Sequence, residues 1–172
     1  PGRFPAFLAL APAYRPMNPG RIVFWVLFTV CGVWLENAIP GVDFLAPGLI
    51  LAMQEEKWTV PIWLGLAWLF IQEGTGSLAF GAGLLWYGGL AGLYFFGHWL
   101  FEARNFLFMF IVGLCLGAMH FVLINLMALL LDWTVPLERL LMESVMQALI
   151  FPVEWGLIYL IHRYLPDTPH AA

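Results

Sequence analysis

The stretch Phe106–Leu131 contains no Asp, Glu, Lys or Arg. It is longer than the roughly 20 apolar residues that a bilayer requires of a spanning helix. A helix satisfies its own backbone hydrogen bonds, which is what a segment surrounded by lipid must do. The rest of the chain has the same character. Of 172 residues 62% are hydrophobic and 10% charged, with a mean hydropathy of +0.86. A soluble domain of this size would carry about a quarter of its residues charged. The sequence is therefore read as one all-α integral membrane domain.

Proline, glycine and charge divide the apolar sequence. Residues 1–20 hold prolines at 1, 5, 12, 16 and 19, too many for a spanning helix, and are read as a cytoplasmic or interfacial arm. Six spans are then expected, at about 21–39, 43–54, 58–72, 77–101, 106–131 and 137–164, with 166–172 as a cytoplasmic tail. The second and third are short. The third, Trp58–Gln72, carries Pro61 in its first turn, where proline is tolerated. It runs into Gln72-Glu73-Gly74-Thr75-Gly76 before apolar sequence resumes at Leu78. That break reads as a hairpin between two membrane helices with Glu73 at its tip.

Charge distribution supports this count. With the N-terminus inside, six crossings place Arg3, Arg15, Arg21, Lys57, Arg104 and Arg163 on the inner side and Arg139 alone outside, the asymmetry expected of inner loops. Both termini are then cytoplasmic, and Asp43, Glu73, Asp132 and Glu138 face outward. A net charge of −4 with no basic block excludes nucleic acid as a partner class. Cys31 and Cys115 fall within apolar runs and are read as buried thiols. No cleavable leader is read, since the apolar run from Ile22 ends in Glu36-Asn37.

Polar residues within spans are costly and mark contacts or pathways. Glu36 lies near the outer end of the first span. Glu154 lies deep in the sixth, just after Pro152, which is expected to kink that helix. For Glu154 two functional readings stay open, a buried polar contact with the bundle or a partner helix, and a proton or ion pathway. Glu143 is expected to be solvated. Asn125 could join helices by hydrogen bonding, and His120 is read as a satisfied bundle histidine. A haem would require two histidines at matched depth, which His98 and His162 alone offer. Gly88-xxx-Gly92 and Gly113-xxx-Gly117 are small-xxx-small patterns that let helix backbones approach. No nucleophile arrangement, phosphate loop or metal-ligand spacing is recognisable, so neither catalysis nor a cofactor is expected.

The order of these features resembles the rod shape-determining protein MreD family. It combines Pro47 opening a short second helix, Trp63-Leu64-Gly65 leading to the acidic glycine turn at Glu73, a glycine-rich fourth span from Gly81 to Gly97, and Gln147-Ala148-Leu149-Ile150-Phe151-Pro152 in the last span. The resemblance covers about residues 21–165, and Glu73 stands where the family often has aspartate. It implies a non-enzymatic scaffold of the bacterial inner membrane, serving peptidoglycan synthesis and cell shape. Its partners would be a bitopic MreC-like protein, RodA and a penicillin-binding transpeptidase. It also implies a six-helix fold similar to the substrate-binding subunits of energy-coupling-factor transporters. Two alternatives remain at this point: a substrate-capture subunit of a membrane transporter, and an accessory membrane subunit of a respiratory complex.

Overall fold

The computed structural model describes residues 19–74, 81–100 and 106–164 (the side chains of 98–100 apart). Six helices follow one another within them: α1 (Pro19–Ala38), α2 (Ala46–Glu55), α3 (Thr59–Gly74), α4 (Ala82–Leu100), α5 (Phe106–Leu130) and α6 (Leu137–Tyr164). No strand occurs among the described residues. Three helices, α1, α5 and α6, are long and apolar enough to cross a membrane. The expected turn after Gly74, the arm up to residue 18 and the tail lie outside the described residues. Pro19 and Gly20, expected to belong to the arm, instead open α1. Proline suits a first helical turn because its missing N–H would have no intrahelical partner there.

Helix α2 is the centre of the assembly. It has only 10 residues, and Ala46 to Ala52 are all buried. It packs on α3, α4 and α6, and its Gly48 receives the ring of Phe28 from α1. A helix this short is marginal by itself, so its order comes from its surroundings and its caps. At its N-terminal end, Asp43 Oδ1 accepts the N–H groups of Leu45 and Ala46 at 2.8 and 3.0 Å. At its C-terminal end, Gln54 Oε1 accepts the Trp155 indole N–H of α6 at 3.0 Å.

Helices α5 and α6 form the most extensive pair. Gly113 and Gly117 lie at the crossing, as their spacing suggests. A Cβ on Gly113 would sit 2.7 Å from the Ala148 carbonyl and 3.2 Å from Pro152 Cδ. One on Gly117 would sit 2.6 Å from the Ser144 carbonyl. The two sequence signals, glycine in α5 and proline in α6, therefore meet. Pro152 has no N–H to give the carbonyl four residues back, and that carbonyl, of Ala148, is the one turned toward Gly113. Helix α6 continues through Pro152 without interruption.

The Gly88–Gly92 expectation is corrected. Both residues are exposed, and a Cβ on either meets nothing within 4 Å. Helix α4 approaches its neighbours through Gly89, against Met119, and Gly97, against Phe108. Gly88→Ala and Gly92→Ala are expected to leave stability unchanged or raise it by up to about 1 kcal/mol each, since alanine is the better helix former. Thermal melts in detergent check this, and a marked loss would mean that the face is packed.

Helix α5 ends in a Schellman-type turn. Asp132 adopts φ 55°, and the N–H of Trp133 returns to the Ala128 carbonyl at 2.8 Å. Aspartate is one of the few non-glycine residues that tolerate this left-handed geometry. Cys31 and Cys115 are exposed rather than buried. In a membrane protein an apolar run does not say which face meets the interior, because lipid and core are equally apolar.

Candidate functional site

Polar groups gather at both ends of the bundle. One end joins the C-termini of α1 and α3 to the N-termini of α2, α4 and α6. Glu36 of α1 accepts the Gln72 side-chain N–H of α3 at 3.0 Å and the Phe44 backbone N–H at 3.2 Å. Asp43 Oδ2 accepts the Trp86 indole N–H of α4, and its backbone N–H donates to Gln147 Oε1 of α6 at 2.7 Å. Asp43 is thus both the cap of α2 and the knot that ties α2, α4 and α6 together. Glu36, Asp43, Gln72 and Trp86 line a cavity of about 390 Å³.

The cavity's other wall comes from α5 and α6. Glu143, expected to be solvated, has a side chain only 17% exposed. Its carboxylate receives Arg139 Nε at 2.7 Å and lies 3.9 Å from His120 Nε2. Gly41 makes room for it. The glycine has φ 90°, and a Cβ there would fall 2.5 Å from Glu143 Cδ. Substitution of Gly41 would therefore meet both backbone strain and the carboxylate. His120 stands edge-on to Trp86 at 5.9 Å. Its Nε2 makes no hydrogen bond among the described residues but faces the Glu143 carboxylate within ion-pair distance.

The other candidates separate. Glu73 is not at the tip of a turn. It lies in the last turn of α3, and its Oε1 accepts the Gly81 N–H at 2.9 Å, closing the approach to α4. Gln72 beside it is 4% exposed and faces Glu36. Asn125 donates to the Phe121 carbonyl in its own helix at 2.9 Å, and no hydrogen bond from it to another helix occurs among the described residues. Glu154 is half-buried, and its Oε2 has no hydrogen-bond partner. His98 lies outside the described side chains, and no group of three or more His, Cys, Asp or Glu that could hold a metal occurs among the described residues.

The opposite end holds Arg21, Glu56 and His162. Arg21 Nη1 lies 3.4 Å from Glu56 Oε2, and His162 Nε2 lies 3.4 Å from Glu56 Oε1. His162 belongs to this contact, with Phe24 against its ring at 5.3 Å. Burial pushes the Glu56 carboxyl up, but the His162 imidazole and the Arg21 charge outweigh it and hold the group below the ordinary value of 4.5. A carboxyl lowered in the folded state stabilises fully above its unfolded value and loses that stabilisation as pH falls through the folded one. Acid-side melts in detergent should therefore steepen with falling pH below about 4.5, and Glu56→Gln should flatten that limb. An unchanged limb would dissociate Glu56 from acid stability.

A second concave feature lies along the flank between α1 and α3. It is about 440 Å³ and lined by Ile22, Val26, Val30 and Trp63, among others. Most of its lining is apolar, and one of its threonines is engaged elsewhere: Thr29 Oγ1 donates to the Trp25 carbonyl at 2.7 Å and accepts the Trp68 indole N–H at 2.9 Å. Sequence reasoning placed Glu36 and Asp43 at the Asp43 end of the bundle but missed Trp86 and Gln147, which meet Asp43 across 43 and 104 residues of sequence. No known family model, curated relative or solved structure matches this chain.

Proposed function

We propose that the chain is a non-enzymatic scaffold of the bacterial inner membrane that seats the single transmembrane helix of a bitopic, MreC-like partner in the groove between α1 and α3. The observation that carries this reading is the state of α1. Only 17% of its apolar window is buried, while Val26, Val30 and Trp63 stand 55%, 62% and 72% exposed around a concave apolar surface. Lipid covers flat apolar faces at no cost, whereas a groove rewards a helix that fits it, since packing drives association in membranes.

The six helices are taken to cross the membrane in alternation, with both termini cytoplasmic. The bundle's two polar ends support this order, and the basic residues support its sense. The Arg21–Glu56–His162 end is then cytoplasmic and the Asp43 end external. RodA and the penicillin-binding transpeptidase of the cell-elongation machinery are the further partners proposed. In a rod-shaped host, loss of the chain should round the cells.

A photo-crosslinking residue at Val26 or Trp63 is expected to capture a single-span protein in native membranes, whereas one at Leu129 of α5 should not. Val30→Trp, which fills the groove, should reduce co-purification of that protein by about tenfold or more, equivalent to roughly 1.4 kcal/mol. Capture of lipid alone from Val26 and Trp63 would overturn the reading.

A further inference from the structure

We propose that the protein holds a step in bilayer thickness: lipid thinned to about 22–25 Å against the α1–α3 flank, and of full thickness against α5 and α6. The inference concerns the surrounding lipid and not the partner, and so goes beyond the scaffold reading. It rests on α1, α5 and α6 crossing the membrane, which their length and apolarity permit.

Two polar layers fix the distance. At one end Arg21 of α1 and His162 of α6 both lie 3.4 Å from Glu56. At the other, Glu36 of α1 accepts the Phe44 N–H, and the N–H of the neighbouring Asp43 donates to Gln147 of α6. Glu36 follows Arg21 by 15 positions, and His162 follows Gln147 by the same 15. Two helices thus count the same interval between the layers, about 22 Å at the rise of an α-helix. Helix α3 agrees, since its 16 residues span about 24 Å. A typical hydrocarbon core is about 30 Å thick, and tilting a helix only shortens its reach across it.

The outward-facing chain decides whether lipid extends past the second layer. On the α1–α3 flank it does not. Asn37 is exposed, α1 ends at Ala38, and residues 39–45 are not helical, with Pro40 exposed. Irregular backbone facing lipid does not occur within the hydrocarbon. The hydrocarbon therefore ends by Ala38, 17 positions after Arg21 and about 25 Å from it. Helix α6 does the opposite. It extends past Gln147 as far as Leu137, and Leu141, Met142 and Val145 on this extension are exposed, as are Leu129 and Leu130 at the adjoining end of α5. Leu141 lies 21 positions before His162, about 31 Å along the helix, which matches a full core. A bilayer thin all round would leave these leucines in water. A bilayer thick all round would bury Asn37 and the chain after Ala38. A step satisfies both sides.

The test reads depth on the two flanks. The full chain with Cys31→Ser and Cys115→Ser carries one nitroxide at a time, on Asn37→Cys or on Leu141→Cys, in vesicles of dioleoylphosphatidylcholine. Paramagnetic resonance compares collisions with oxygen, which concentrates in hydrocarbon, and with a water-soluble nickel chelate. The Asn37 label should favour nickel and the Leu141 label oxygen, although Leu141 lies farther from the Arg21 layer. In the shorter dimyristoleoylphosphatidylcholine the Leu141 label should shift toward nickel while the Asn37 label stays. A second readout needs no substitution. Brominated dioleoylphosphatidylcholine quenches exposed tryptophans, of which Trp34, Trp58 and Trp63 stand on α1 or at and within the start of α3. Dimyristoleoyl lipid should relieve that quenching more than the same amount of unbrominated dioleoyl lipid. An Asn37 label that favours oxygen, a Leu141 label that favours nickel in dioleoyl lipid, or equal relief by the two lipids would overturn the proposal. Partner capture from Val26 or Trp63 enters neither readout, so failure of the scaffold reading is told apart from failure of this one.

Discussion

Asp43→Ala should lower the stability of the whole bundle by about 2–4 kcal/mol, the sum expected for losing several hydrogen bonds to one charged group together with a helix cap. The figure is large for one residue because two different helices depend on its side chain. Its Oδ1 caps α2 through Leu45 and Ala46. Its Oδ2 holds the Trp86 indole of α4. Its backbone N–H is fixed by Gln147 of α6. Alanine would leave the Trp86 N–H and two backbone N–H groups buried without acceptors, and such groups are costly where water does not reach.

Asp43→Asn separates the two roles. Its side-chain oxygen can still accept the two backbone N–H groups of α2, but its amide would turn an NH₂ toward the Trp86 N–H, setting donor against donor. Its loss should fall between wild type and Asp43→Ala. Trp86→Phe should remove the same second bond while leaving the cap intact. Unfolding titrations in mixed micelles measure all three. If Asp43→Ala melted like wild type, α2 would be held by packing alone.

What was legible in the sequence is the division into helices. Charged and glycine- or proline-rich breaks are abrupt in so apolar a chain, and the ends of α5 and α6 fall within a residue of their expected positions. Pro47 and Pro61 signal the starts of α2 and α3 by the same physics that bars proline from helix interiors. Polar geometry was far less legible. Asp43 reads only as an outward-facing residue at the start of the second span until α4 and α6 are folded against it, since Trp86 and Gln147 are 43 and 104 residues away. Glu143 reads as solvated until Gly41, by its positive φ, brings a backbone against it. Gln72 and Glu73, adjacent in sequence, point to different partners because they are 100° apart on a helix that runs two residues further than the polar residues suggest.

The glycine patterns carry the same lesson at the level of packing. Gly88-xxx-Gly92 and Gly113-xxx-Gly117 have identical spacing, yet only the second meets another backbone. Spacing shows that a smooth strip exists; which way the strip faces is decided by the remaining residues of the helix. In α4 the buried side chains Trp86, Tyr87, Leu90 and Tyr94 turn the Gly88–Gly92 strip outward.

Gly117→Leu should be the most damaging substitution in the chain, costing more than about 3 kcal/mol and leaving little monodisperse protein, above the usual range for overpacked cores. The reason is what the new side chain would meet. A Cβ on Gly117 falls 2.6 Å from the Ser144 carbonyl and 2.9 Å from Ala148 Cβ. Neither can rotate away: one is backbone, and the other is a methyl group fixed to it. Ser144 is further held by its own hydroxyl bond to the Leu140 carbonyl at 2.8 Å. At Gly97, by contrast, an added Cβ meets the Phe108 ring, a side chain that can swing at moderate cost. Gly97→Ala should therefore be milder than Gly117→Ala, although both are Gly→Ala changes in helices where alanine is otherwise favoured. Size-exclusion profiles and detergent melts of the two alanine variants test this ordering without requiring the leucine variant to fold. Equal melts would show that α5 and α6 can separate freely, and with them the Pro152–Gly113 contact one turn away.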